Sequence, residues 1–188
     1  LTKFPWKERL LAALLATVTV CGVAAARGDA ATPPPDFFGI SAPELYSMSL
    51  DGRFQLRDDA LEHIQAAGID TVRTEIGWRD VERTAPVAGV HTYDWTAMYR
   101  HVTALAEHGQ SLAPMIMAPP AWAQTAAPAG ACERRGGIDA AHVDDYAAFV
   151  SEVAKVFGRN GAYWRWAAIN RPAIAQRPIT SYEIWNEP

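Results

Sequence analysis

Three helical stretches, each closed by a glycine, limit the fold of this chain more than any other feature. Asp58 to Ala67 puts Ala60, Leu61, Ile64 and Ala67 on one face; Asp58 or Asp59 can cap its start and Gly68 its end. Asp94 to His108 carries Trp95, Met98, Val102, Leu105 and Ala106 at helical spacing and stops at Gly109. Val143 to Phe157 aligns Val143, Ala147, Val150, Ala154 and Phe157 ahead of Gly158. Short apolar or β-branched segments alternate with these helices: Phe37 to Ile40, Thr71 to Ile76, Leu112 to Met117 and Tyr182 to Trp185. Pro114 is awkward inside the third, because proline cannot donate to a strand ladder. Strand, helix, strand, helix, strand, helix, strand predicts βα units around a parallel sheet.

Two α/β architectures compete, an open doubly wound sheet and an eight-fold barrel. The open sheet usually carries a glycine-rich phosphate loop after its first strand, and Gly39-Ile40-Ser41 is no such loop. Polar residues gather instead after the second, third and fourth strands, which suits a barrel mouth. The expected fold is the N-terminal half of a (β/α)8 TIM barrel, about four βα units, since a whole barrel takes about 250 residues. Half a barrel leaves two strand edges open and is expected to be poorly soluble.

The first 26 residues read as a secretory signal peptide. Lys3, Lys7 and Arg9 make a basic start, an uncharged run follows from Leu10 to Ala26, and Ala24-Ala25-Ala26 is a small-residue cleavage site. The competing reading, a membrane anchor, meets a run at the short limit of the roughly 17–25 residues a spanning helix needs. Cleavage predicts a secreted or extracytoplasmic protein with no stable membrane insertion. Residues 27–36 form a Pro-rich linker. Losing three basic residues and one acidic residue takes the formal net charge from −4 to −6. A mildly acidic exported chain without a basic cluster is not expected to bind nucleic acid. Cys21 leaves with the leader, so Cys132 has no internal disulfide partner. The five histidines show no metal-ligand spacing, and neither a metal nor a cofactor is expected. His63, His101, His108 and His142 read as surface residues, Glu133-Arg134-Arg135 as a solvated loop, and Trp95, Trp164 and Trp166 as packing residues.

The chemistry concentrates at the last strand. Glu183-Ile184-Trp185-Asn186-Glu187-Pro188 delivers an amide and a carboxylate to the rim of the core. Walled by Trp185 and Pro188, Glu187 can be desolvated. That raises a carboxyl pKa and suits a general acid. Capping the next helix or pairing with a cation is the plainer role. Arg73 and Glu75, two residues apart, point to one side of their strand. Trp122, in a Pro-rich loop, and Trp78 could stack on an apolar ligand face or belong to the core.

Tyr-Glu-Ile-Trp-Asn-Glu-Pro resembles the acid/base signature of clan A retaining glycoside hydrolases, most closely family 39. Val72-Arg73 with Trp78 and Val81-Glu82 resembles that family's second strand and the turn after it. His91-Thr92-Tyr93-Asp94-Trp95 resembles its entry to the next helix, and Ala118-Pro119-Pro120-Ala121-Trp122 its loop after the third strand. Phe157 to Gly161, Tyr163-Trp164 and Arg177-Pro178-Ile179 resemble the approach to the acid/base strand.

The resemblance implies hydrolysis of an oligo- or polysaccharide with retention, needing no cofactor. Residues 37–188 would be a partial catalytic barrel truncated after the fourth strand. Glu187 would protonate the leaving oxygen and later deprotonate water. A second carboxylate about 5–5.5 Å away would attack the anomeric carbon. The resemblance puts that nucleophile on the seventh strand, and neither Glu75 nor Glu183 matches its motif. Asn186, Arg73, Trp122 and Trp78 are the expected substrate-binding residues. Arg73 would keep the nucleophile ionised or, equally, form a structural pair with Glu75. Other readings are a cellulase-like family 5 enzyme and a secreted carbohydrate-binding protein without catalysis.

Overall fold

The computed structural model of the chain describes residues 37–126 and 136–185. The expected leader and linker, Cys132, Glu133-Arg134-Arg135, Asn186, Glu187 and Pro188 lie outside the described residues.

The described chain runs β1 (Gly39–Ser41), α1 (Glu44–Asp51), α2 (Phe54–Ala66), β2 (Thr71–Gly77), α3 (Trp78–Val81), α4 (Thr96–Glu107), β3 (Ser111–Met117), a 3₁₀ turn (Ala140–His142), α5 (Val143–Phe157), α6 (Ala162–Asn170) and β4 (Glu183–Ile184). The four strands form one sheet in the order β1-β2-β3-β4, and every pairing is parallel. The architecture is α/β with strands added in sequence order. That is the order of consecutive barrel strands, whereas doubly wound sheets reverse direction at a switch point.

The anticipated strands are present with shifted ends. β1 is short, and the expected strand loses its first two residues: Phe37 and Phe38 precede it and are 64% and 54% exposed. Pro114 is tolerated for a geometric reason. In a parallel ladder, alternate residues bond to opposite neighbours. Ser111 N–H donates to Asp70 O, on the β2 side, and Ile116 O accepts from Trp185 N–H, on the β4 side. Pro114 shares the parity of Ile116, so its nitrogen faces β4. The β3–β4 pairing begins only at Met115 opposite Glu183, and no bond to β2 is lost.

The helices differ more. α1 was not legible in the pattern, and α2 starts at Phe54 rather than at Asp58. Neither acid caps it: Asp58 accepts from Arg57 Nε at 2.8 Å and Asp59 from Gln55 Nε2 at 2.7 Å. Leu61 is fully buried and Ala60 and Ile64 pack beside the core, while Ala67 is exposed. α4 buries Met98, Val102, Leu105 and Ala106 as the spacing predicts. The buried stripe of α5 is rotated from the expected one. Tyr146, Phe149, Val153, Val156 and Phe157 point inward, whereas Val143, Ala147 and Ala154 are exposed. Tyr146 and Phe149 bury far more area than Ala147 and Ala154 could, and they set the face.

The core lies between the sheet and its helices. Val72, Ile76 and Ile116 are fully buried, under Trp78, Phe149, Phe157, Tyr163 and Trp164. Trp78 and Phe149 stack at 5.9 Å between centroids, and Trp95 stacks on Phe149 at 6.1 Å. Trp164 is buried as expected, with its indole N–H donating to Phe157 O at 2.8 Å. Trp166 is a correction, since it is 46% exposed on α6.

Candidate functional site

Barrel chemistry belongs at the carboxyl ends of the strands. The C-terminal ends of β2, β3 and β4 are Gly77, Met117 and Ile184, and the last two lead into unusual backbone. Ala118 (φ 55°) and Trp185 (φ 66°) both take the left-handed conformation directly after β3 and β4. Non-glycine residues pay about 1 kcal/mol or more there, and such strain clusters where a chain must aim side chains in unusual directions. A Cβ at Gly77 would meet the Asp80 carboxylate, which would have to swing aside. Arg79 N–H donates to Ala118 O at 3.0 Å, binding the turn after β2 to the end of β3.

Arg73 lies on the sheet face away from the helices. It pairs with Glu183 on β4, two strands away. Nε donates to Glu183 Oε2 and Nη2 to Oε1, both at 2.6 Å. Nη1 also reaches Ser41 Oγ at 3.2 Å, and Nη2 lies 2.9 Å from Met115 Sδ. The guanidinium holds the Glu183 carboxyl below its ordinary range, chiefly through these hydrogen bonds. The pair is half-exposed. By local sequence Glu183 is only a carboxylate outside the nucleophile motif; the sheet register is what brings it to the face that carries Arg73.

Trp78 is fully buried, and its indole N–H donates to Glu82 Oε2 at 2.8 Å. It therefore serves the core and offers no open face to a ligand in this structure. Trp122 is half-buried. It meets Trp78 edge-on at 5.1 Å and His142 at 5.2 Å. Its Nε1 is buried without a hydrogen-bond partner among the described residues. Asn186 and Glu187, expected to act beside it, lie outside the described residues.

A polar network supports these loops from beneath. Glu82 has no exposed surface, and besides Trp78 it accepts from His91 Nδ1 at 2.8 Å. The other nitrogen of His91 faces Asp145 Oδ1 at 3.5 Å, and Asp145 Oδ2 accepts from His142 Nδ1 at 2.7 Å. The network thus runs from the turn after β2 through the loop before α4 to the start of α5, and ends against Trp122. Buried carboxylates persist only when their oxygens are satisfied in this way.

His101 is a second correction, because it has no exposed surface. Ser49 Oγ donates to Leu45 O and accepts from Arg57 Nη1, leaving it to accept from His101 Nδ1–H at 3.2 Å. Nε2 then accepts from Thr74 Oγ1–H at 3.1 Å. Burial pushes the imidazole pKa down to about 3, so it is neutral. The Ser-His-Thr group has no carboxylate and no solvent access, which makes it a structural joint of α1, α4 and β2. Among the other histidines, His63 is exposed and His108 and His142 are half-buried.

Two cavities flank the sheet. One, of about 410 Å³, is lined by Thr71, Ser111 and Arg177 to Pro178 at the amino ends of the strands, the wrong end for barrel chemistry. The other, of about 250 Å³, lies at the carboxyl end, lined by Tyr46, Glu75, Gly77, Arg79 and Asp80. Among the described residues no group of three or more His, Cys, Asp or Glu is placed to hold a metal ion, and no helix is long and apolar enough to cross a membrane.

No protein-family model matches the chain, and no curated protein matches it significantly. Among solved structures, the exo-beta-1,4-mannosidase Op5Man5 from Opitutaceae bacterium strain TAV5 is similar in fold, with a TM-score of 0.42 and 16% identity. The match covers 80% of this chain and 24% of that one, so this chain spans about a quarter of the length of the enzyme it resembles.

Proposed function

We propose that this chain carries the acid/base half of a secreted, retaining glycoside hydrolase of the family 39 type. The observation that carries the reading is the sequence Glu-Ile-Trp-Asn-Glu-Pro, entering from the fourth strand of a parallel sheet built in sequence order. Glu187 is the general acid/base. It protonates the leaving oxygen, then takes a proton from the water that releases the sugar. Asn186 hydrogen-bonds a sugar hydroxyl without adding charge, and Trp122 lends an aromatic edge to the mouth. Arg73 is the cation of this site, and Glu183 shares its charge. The nucleophile is a carboxylate from a later strand of the full enzyme. Residues 1–26 act as the export signal and 27–36 as a linker.

The test uses the enzyme encoded by the whole reading frame. Glu187→Ala should slow poor leaving groups most, by at least about 10²-fold. Azide should rescue turnover and yield a β-azide from a β-glycoside. Unchanged kinetics would sink the assignment. A complete frame with no Glu ending a later apolar strand would favour carbohydrate binding without hydrolysis.

A further inference from the structure

An aromatic groove of about 390 Å³ runs along the exposed side of α4, between α2 and α6. Trp166, Tyr99 and Phe54 line it and remain 46%, 38% and 37% exposed. Tyr99 also packs against Phe157 and Tyr163, and Trp166 against Tyr163, so each is held in place on its inner side. The Tyr99 and Trp166 rings are parallel within 7°, with centroids 6.4 Å apart. Rings in full face contact sit about 3.5–4 Å apart, so these two are laterally offset and each keeps part of a face open. Exposed aromatic faces lining one concave surface mark a binding groove more often than accidental exposure.

The charge of the groove narrows its occupant. Its lining holds three arginines, Arg57, Arg100 and Arg171, against one acid, Glu107, in a chain of net charge −4. Arg57 pairs with Asp58 at 2.7 Å and Arg171 with Glu107 at 3.1 Å. Arg100 lies over the Phe54 ring at 5.5 Å and has no ion-pair partner within 4 Å among the described residues. A cation held over a ring, beside two open aromatic faces, matches a sugar ring that has an apolar C–H face and carries a carboxylate.

We propose that this groove is a binding site for an acidic polysaccharide, whose pyranose faces lie on Trp166 and Tyr99 and whose uronate carboxylate meets Arg100. The proposal rests on the reading that the protein works on polysaccharides, but it concerns another surface and needs no turnover. The groove would hold the protein on its substrate.

Affinity electrophoresis of the full chain through gels containing polygalacturonate or neutral glucomannan tests it. The chain should be retarded by polygalacturonate and much less by glucomannan. Trp166→Ala should weaken the apparent affinity for polygalacturonate at least about fivefold. Arg100→Gln should weaken it in that gel alone, and it guards against misfolding of the tryptophan variant, with far-UV circular dichroism confirming both folds. No retardation by polygalacturonate, equal retardation in both gels, or full retardation of both variants overturns the proposal. Binding of oligo(dT) that is as tight and lost in the same variants overturns it in favour of an oligonucleotide groove. A negative result leaves the role of Glu187 untouched, and an inactive but retarded protein separates the two claims the other way.

Discussion

The two faces of the sheet solve opposite problems. On the helix side, Val72, Thr74 and Ile76 of β2 are essentially without exposed surface, and the aromatic layer closes over them. On the other side, Arg73, Glu75 and Glu183 remain half-open and charged. Stability therefore resides on the first face, while the second is free to hold charge. One side of a parallel strand can be committed to packing only because its alternate residues are released from it.

The comparison can be broken by substitution. Trp78→Ala on the packed side should cost about 3–5 kcal/mol, read by denaturant or thermal unfolding. A loss below about 1 kcal/mol would mean that the aromatic layer is not the core. Glu82→Gln keeps the volume but disturbs a buried network and should cost about 1–3 kcal/mol. Its indole fluorescence should also change, because Trp78 loses a charged partner.

Acid should weaken the packed side through His101. Its folded pKa, about 3, lies below the ordinary 6.5, so the unfolded chain binds the extra proton between those values. The contribution is complete above about pH 6.5 and is lost as pH falls towards 3. His101→Gln should flatten that part of the melting-temperature profile, and an unchanged slope would exclude the mechanism. Ala118→Gly should be neutral or stabilise by up to about 1 kcal/mol despite its burial, since glycine relieves the left-handed backbone. Glu183→Gln should shift the melting temperature least. Its pKa is lowered by Arg73, so whatever it contributes is present above the ordinary carboxyl value of 4.5 and fades as pH falls below it. A loss equal to that of Trp78→Ala would erase the distinction between the faces.

Much of the fold was legible because three signals coincide in β2 to β4: alternating or apolar strands, helical spacing, and stop glycines. Gly68 and Gly109 do take the left-handed conformation that ends a helix. The helix Glu44–Asp51 was not legible, because its buried face holds Ser49 and Tyr46, one of them polar for a network that only the fold assembles. The α5 stripe was misjudged because small residues recur at the same spacing as the aromatics. His101 was misplaced for a related reason: a histidine on a helix looks solvated until Ser49 and Thr74, from two other elements, are brought to its nitrogens. For the candidate site, Arg73 lies within β2 and Trp122 in the loop after β3, while Trp78 is buried in the core. The partner of Arg73 depended on a strand two places away, which local spacing cannot reveal.

The Arg73–Glu183 contact has a mechanical consequence. Arg73 is level with Ala113 on the intervening strand and Glu183 with Met115, so the contact runs diagonally, rising two residues or about 7 Å while it crosses β3. A diagonal brace stiffens a frame against shear in a way that rungs at right angles do not. Sliding β4 towards its carboxyl end stretches the brace, and sliding it back slackens it. The strand that leads to Glu187 is therefore held lengthwise from one direction, by a strut anchored two strands away.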